Sequence, residues 1–240
     1  MKILALDSSG LTASAAVVEE ENMIAEYTIN HKKTHSQTLL PMLDEIVKMI
    51  ELDLNTIDAI AVAAGPGSFT GLRIGSATAK GLAFALKKPI ISIPTVEGLA
   101  YNLYGTDKVI CPIMDARRNQ VYTGLYRFEG EQFVVIEDQM AVDMEKMIQK
   151  INLLGEPVIF LGDGVPVQKN AIKEKVMVPF YFAPPHLSRQ RAGAVGALGC
   201  CYYREGNYQD SREHKPEYLR LSQAEREREE KIKMAEKLET

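Results

Sequence analysis

Gly65-Pro66-Gly67-Ser68-Phe69-Thr70-Gly71-Leu72-Arg73-Ile74-Gly75 is the stretch on which the reading of this chain turns. The apolar run Ala59-Ile60-Ala61-Val62-Ala63-Ala64 leads into it and predicts a buried strand. The glycines and Pro66 impose a sharp turn, because glycine alone takes positive φ at little cost. Ser68 or Thr70 is then placed to cap a helix running to about Leu86. A helix N-terminus entered this way can hold an anion. A strand-to-helix turn with no ligand accounts for the same residues and is the plainer reading of the loop alone.

The helix itself says more. At 100° per residue, Arg73, Ser76, Lys80 and Lys87 fall on one narrow stripe, while nearly every other position is apolar or small. Such a helix is covered on most sides, and a single sheet cannot cover it all; a neighbouring helix, a second lobe or another chain must contribute. A second helix, Thr38 to about Glu51, gives the same message. Leu39, Met42, Leu43, Ile46, Met49 and Ile50 share a face that Leu40 and Val47 widen to half the circumference, leaving Asp44, Glu45, Lys48 and Glu51 for the rest. The surplus apolar area is open to a second lobe or to a partner.

Working outward, the chain shows one pattern twice. Ile3–Leu6 is a short apolar strand ended by Asp7; Ala13–Val18 and Met23–Ile29 follow as strands, then the helix at 38–51 and the strand at 59–64. Ile90–Ile93 is a further strand, and Pro94 and Thr95 open a helix to about Tyr104. After Gly105-Thr106-Asp107 the pattern restarts. Val109–Met114 ends in Asp115, Val121–Phe128 and Gln132–Ile136 are strands, Asp143–Ile151 is helical, and Pro157–Leu161 is a strand closed by Gly162-Asp163-Gly164. A repeated strand–strand–strand–helix–strand order predicts an α/β protein of two similar lobes facing each other across a cleft. Residues 1–105 form the first lobe and 106–187 the second. The segment 176–187, with three prolines, reads as irregular, and a helix over Arg191–Tyr203, within a return segment of about 188–206, packs back on the first lobe. Residues 207–240 form a charged tail; from Ala224 it holds six acids and five bases in 17 residues and reads as a solvated helix or frayed end.

Composition narrows the function. The 240 residues are 46% hydrophobic and 25% charged, ordinary for a globular protein, and the net charge of −4 argues against autonomous nucleic-acid binding. Cys111, Cys200 and Cys201 make no disulfide framework and fit a reducing cytoplasm. The apolar run after Met1-Lys2 is too short for a signal peptide or a membrane span. His31 and His35 stand four apart, but the helix begins near Ser36 or Thr38 and no acid supplies a third ligand, so they read as surface or capping residues. Gly67-Ser68-Phe69-Thr70-Gly71 places its serine wrongly for a nucleophile elbow. No cofactor, metal or catalytic residue is expected.

The stretch at 65–75 resembles the signature of the bacterial TsaB (YeaZ) family. Ile3-Leu4-Ala5-Leu6-Asp7-Ser8-Ser9, Met114-Asp115-Ala116-Arg117-Arg118 and Pro216-Glu217-Tyr218-Leu219-Arg220 agree with the same family in the same order, over residues 1 to about 225. The resemblance implies a two-lobed actin-like (ASKHA, ribonuclease H-like) fold built from a duplicated mixed-sheet unit. It implies a non-catalytic subunit in making N6-threonylcarbamoyladenosine at position 37 of tRNA. The implied partners are the catalytic paralogue TsaD and the ATPase TsaE, with a homodimer where TsaD is absent and tRNA met only through the complex. By the same resemblance the partner interface comprises Leu39, Leu40, Met42, Leu43, Ile46, Val47 and Ile50 of the first helix with Leu72, Arg73, Gly75, Ser76, Ala79, Lys80 and Ala83 of the second.

In actin-like proteins two glycine-containing turns wrap the phosphates of a nucleotide. The residues here that correspond are Asp7, Ser8, Ser9, Asp115, Arg117, Arg118, Gly162 and Gly164, and they read as a vestigial cleft. Glycine arrives late after Asp7 and is missing after Asp115, so close backbone approach to phosphate is obstructed. TsaD carries a pattern resembling H-L-E-G-H, with two metal-binding histidines, where this chain reads Thr95-Val96-Glu97-Gly98-Leu99; leucine cannot bind a metal and threonine replaces imidazole poorly. Family members have been labelled glycoproteases, which needs a metal or a Ser/His/Asp set that is not found. The alternative from another class is a nucleotide-dependent ATPase or kinase, supported by Asp7, Asp115 and Gly162–Gly164.

Overall fold

The computed structural model describes residues 1–117 and 120–220. Its first strand, β1 (Lys2–Asp7), is buried from Ile3 onward and pairs antiparallel with β2 (Thr12–Glu19), which pairs in turn with β3 (Asn22–Asn30). On the other side of β1 lie β4 (Ala59–Gly65) and β5 (Ile90–Pro94), both parallel, giving the order β3-β2-β1-β4-β5. Strands β1 and β4 are covered on both faces, which is why their sequences are continuous apolar runs. Helices α1 (His35–Met49) and α2 (Phe69–Leu86) cover one face through a core that includes Leu4, Leu6, Leu39, Leu43, Ile60, Val62 and Ala79.

The second half repeats the first. Strands β6 (Val109–Asp115), β7 (Gln120–Glu129), β8 (Gln132–Asp143), β9 (Val158–Leu161) and β10 (Phe180–Phe182) form a second sheet in the order β10-β9-β6-β7-β8, the counterpart of the first. Helices α4 (Met144–Leu154) and α5 (Val165–Lys175) take the places of α1 and α2 in chain order. Two facing copies of one βββαβαβ unit make the two-lobed actin-like fold.

Each unit ends in a helix that covers the other unit's sheet. Helix α3 (Thr95–Ala100) buries Val96, Leu99 and Ala100 against Ile110, Met114, Tyr126 and Phe128 of the second sheet. Helix α6 (Ala192–Arg204) buries Ala192, Val195 and Leu198 against Ile3, Ala5, Ala16 and Ala61 of the first.

Four elements differ from the sequence reading. Segment 176–187 is not wholly irregular: Phe180–Phe182 pair in parallel with Val158–Phe160 and complete the second sheet. Residues 165–175, given no element above, form α5, whose single buried residue is Ile172. Strand β8 continues seven residues past Ile136, carried by pairing with β7 across two register shifts. The helix after Pro94 stops at Ala100 and ends in one 3-10 turn, Tyr101–Leu103. No helix among the described residues is long and apolar enough to cross a membrane. The charged stretch from Ala224 lies outside the described residues.

Candidate functional site

The turn after β1 and the turn after β4 are built into each other. Asp7 is buried, and its Oδ1 accepts from Ser9 N at 2.9 Å and Ser9 Oγ at 2.7 Å. Burial pushes its carboxyl up to about 6, against the two Ser9 hydrogen bonds and nearby His35, which pull it down. Ser8 Oγ donates to Gly71 O at 2.8 Å, and Ser68 N donates to Ser9 O at 2.7 Å. Ser68 is the N-cap of α2, accepting from Gly71 N at 3.3 Å. A Cβ at Gly71 would overlap the Ser8 carbonyl oxygen, and Gly67 and Gly75 lie equally close to Ser9 and Ser8. Gly67 and Gly71 are therefore spent on backbone contact with Ser9 and Ser8, and Gly75 on room for the Ser8 hydroxyl, where the sequence alone left room for an anion.

In the second lobe the corresponding turn is open. Asp115 is exposed; its Oδ1 accepts from Arg117 N at 2.7 Å, and Arg117 is exposed in the left-handed region with φ of 62°. Asp115 N donates to Asp163 Oδ1 at 3.3 Å, and Asp163 is held above the usual carboxylate range by burial, opposed by that hydrogen bond and by Arg189. Gly164 N donates to Ile113 O at 2.9 Å, and Gly162 O accepts from Arg189 Nη1 at 2.8 Å. A cavity of about 410 Å³ opens beside them, lined by Gly162, Pro166, Lys169, Phe182, Pro185 and Arg189 among others. Asp7, Ser8 and Ser9 thus form one group, and Asp115, Arg117, Gly162 and Gly164 another; among the described residues no hydrogen bond joins Asp7 to Asp115. Arg118 lies outside the described residues.

Sequence reasoning missed what lies over these turns. After α6 the chain returns to the edge of the first sheet, where Gln209 and Ile90 exchange two backbone hydrogen bonds of 2.9 Å. It then runs along α2. His214 is buried, its Nδ1 2.8 Å from the Ser92 hydroxyl, and Lys80 Nζ donates to His214 O at 3.1 Å. Burial and the neighbouring Lys80 charge push His214 down to about 4. Glu217 N donates to Ala64 O at 2.7 Å, and Gly65, with φ of 127°, is so close that a Cβ would overlap the Glu217 carbonyl. Tyr218 stacks on Phe69 with centroids 4.1 Å apart, and Arg73 Nε donates to its hydroxyl at 3.3 Å. The same stretch reaches the second lobe: Gln139 Nε2 donates to Glu217 Oε2 at 3.0 Å, and Arg220 donates to Ala116 O. The Pro216–Arg220 motif was the available signal, but it carries no periodicity that places it.

The expected partner surface needs correction. Leu39, Met42, Leu43, Ile46, Leu72, Gly75, Ser76, Ala79 and Ala83 are buried in this chain's own first lobe, because α1 and α2 turn these positions toward the sheet, each other and Ser8. Val47, Ile50 and Lys80 are half-buried. What remains outside is Leu40 (53% exposed) and Met49 (76%) on α1, with Arg73, Ala77, Gly81 and Phe84 (76%) on α2. Thr95 and Leu99, at the positions that the resemblance assigned to the TsaD histidines, are also buried. Thr95 Oγ1 accepts from Gly65 N at 3.0 Å, and Leu99 lies in the core between the lobes. His35 is the first residue of α1 and donates through Nε2 to Gly10 O at 2.8 Å, while His31 lies outside the helix. No group of three His, Cys, Asp or Glu among the described residues could hold a metal ion.

The model of the TsaD family, tRNA N6-adenosine threonylcarbamoyltransferase, matches residues 22–228. The tRNA threonylcarbamoyladenosine biosynthesis protein TsaB of Bacillus subtilis (strain 168) is 36% identical over 228 residues, 94% of this chain and 96% of the relative. The chain belongs to the TsaB (YeaZ) family. It is also 28% identical to TsaB of Escherichia coli (strain K12), over 92% of this chain and 95% of the relative. A Pseudomonas aeruginosa crystal structure, of an uncharacterised protein with similarity to peptidase YEAZ, superposes with a TM-score of 0.77 at 25% identity, covering 91% of this chain and 99% of that one.

Proposed function

We propose that this chain is a non-catalytic scaffold subunit in the biosynthesis of N6-threonylcarbamoyladenosine in tRNA, and that it binds the catalytic paralogue TsaD. The B. subtilis and E. coli relatives carry that biosynthetic role in their names. The observation that supports the scaffold reading is the set of large apolar side chains left exposed on α1 and α2, Leu40, Met49 and Phe84, beside the helix faces that the first lobe buries. A helix pair with large apolar side chains at its surface fits another helix pair, packed ridge into groove. The occupant we expect is TsaD, whose family model matches this chain; a second copy of this chain would compete for the same surface. The ATPase TsaE is a third partner in this reading, and tRNA is met only by the complex. The closed turn at Asp7–Ser9, filled by the backbone of 67–75, supports the absence of turnover in this subunit.

The test is whether tRNA modification by purified TsaD and TsaE, with ATP, threonine and bicarbonate-derived threonylcarbamoyl adenylate, depends on adding this chain. Dependence is expected; full activity without it sinks the reading. The cavity beside Gly162, with Lys169 and Arg189 on its wall, favours one second reading, a nucleotide-dependent enzyme. ATP hydrolysis by the purified chain, lost in Asp7→Ala, would establish that reading instead.

A further inference from the structure

The segment 209–220 is anchored unequally on the two lobes. On the first it has a backbone bridge to a sheet edge, a buried histidine, a backbone hydrogen bond to the tip of β4 and a stacked aromatic pair. On the second it has one amide-to-carboxylate hydrogen bond, Gln139 to Glu217, and the Arg220 guanidinium on the carbonyls of Ala116 and Arg117. The Glu217 carboxylate shares its neighbourhood with Glu97 of α3 and Asp138 of β8, and the Glu97 carboxylate takes a hydrogen bond of 2.6 Å from Tyr202 of α6. A segment fixed at one end and lightly held at the other moves with its firm end.

Its firm end is also where α2 begins. Tyr218 lies flat on Phe69, the first residue of α2, and Arg73, on the exposed stripe with Ala77, Gly81 and Phe84, binds the Tyr218 hydroxyl. A protein that covers that stripe therefore borders Tyr218 directly. We propose that residues 214–220 are a latch between the lobes, closed by Gln139–Glu217 and Arg220–Ala116, and that docking of a helical partner on α2 favours the closed latch. The second half of this inference rests on the partner reading above; the first half does not. Binding linkage is reciprocal, so whatever opens the latch must weaken the partner by the factor with which the partner closes it.

The experiment uses the full chain with spin labels on Glu21→Cys in the first lobe and Lys173→Cys in the second, both exposed positions, in a Cys201→Ser background. Interlobe distances are measured by pulsed electron resonance for the parent, for Tyr218→Ala and for Gln139→Leu. TsaD affinity is measured on the same set. Gln139 stands on β8, in the other lobe from the stripe, so its effect on partner binding has no route except the latch. A broadened distance distribution in both variants, narrowed again by TsaD, with Kd raised about fivefold or more, is expected. An unchanged distribution in both overturns the latch. A broadened distribution with unaltered TsaD affinity overturns the coupling. If the parent itself fails to bind TsaD, the scaffold reading falls, and the distance measurement still decides the latch.

Discussion

The two lobes share a topology and differ at the same place in it. The helix that follows the fourth strand is 18 residues long in the first lobe, with six buried positions along it; in the second it is 11 residues long, with Ile172 alone buried. A glycine in the left-handed region closes each strand, Gly65 as the last residue of β4 and Gly162 just after β9. Past that point the first lobe folds its turn onto Ser8 and Ser9, while the second leaves Asp115 and Arg117 exposed and has a cavity lined by Gly162, Lys169 and Arg189. A duplicated frame differs in its turns: the one after β1 is buried at Asp7–Ser9, and the one after β6 leaves Asp115 and Arg117 exposed, while both copies expose apolar side chains on their helices, Met49 and Phe84 in the first and Leu153 and Val167 in the second.

The largest effects separate the inside of the first lobe from its outside. Leu43→Asp or Ala79→Arg places a charge in the core, and a loss of more than about 4 kcal/mol is expected, seen as failure to fold in thermal or urea denaturation. Phe84→Asp and Leu40→Asp should leave the unfolding midpoint almost unmoved and reduce TsaD affinity about 100-fold or more by calorimetry. Val167→Asp, on α5 of the second lobe and likewise exposed, should change neither. A midpoint that collapses in Phe84→Asp would show that residue to be core and erase the contrast.

Next come the turns. Gly71→Ala forces a methyl group onto the Ser8 carbonyl, at a cost of about 3 kcal/mol, and Gly162→Ala in the other lobe, which meets the Ile113 carbonyl just as closely and at positive φ, should cost at least as much. Asp7→Asn works in the opposite direction. With the folded carboxyl at about 6, above the ordinary 3.8, the fold holds its proton more tightly than the unfolded chain does. Wild-type stability therefore rises as pH falls through 6 toward 4, and the neutral asparagine should gain about 2 kcal/mol at pH 7.5, a gain that fades by pH 4. Asp115→Asn, at an exposed site, should change stability by no more than about 0.5 kcal/mol. The smallest effect belongs to Gly81→Ala: an added Cβ there meets nothing within 4 Å, and the helix should gain roughly 0.5–1 kcal/mol in the isolated chain.

These contrasts also mark where the sequence was legible. Buried strands such as Ala59–Ala64 announce themselves as unbroken apolar runs, and the acid-tipped repeats at Asp7 and Asp115 exposed the duplication. Helix α5 did not, because Lys169, Lys173, Glu174 and Lys175 surround one core residue and give no apolar period. Strand β10 did not, because three residues between prolines are too few for a pattern. The apolar arcs of α1 and α2 were read correctly as too wide for one sheet. Periodicity fixes the direction of such an arc and is silent on which part the chain keeps for itself, so nine of the fourteen residues expected at the partner surface lie in the part that the first lobe buries, while Leu40 and Arg73 are exposed. The pairing of Gly71 with Ser8 spans 63 residues, and that of Tyr218 with Arg73 spans 145; no local pattern encodes either.

The exchange of α3 and α6 between the lobes has a consequence for anyone who would divide the molecule. Cutting the chain at Gly105 would release two fragments, each carrying the lid that belongs to the other's sheet and missing its own. Neither should be well behaved alone, and the two expressed together should find each other, since every bare surface on one has its fitted cover on the other.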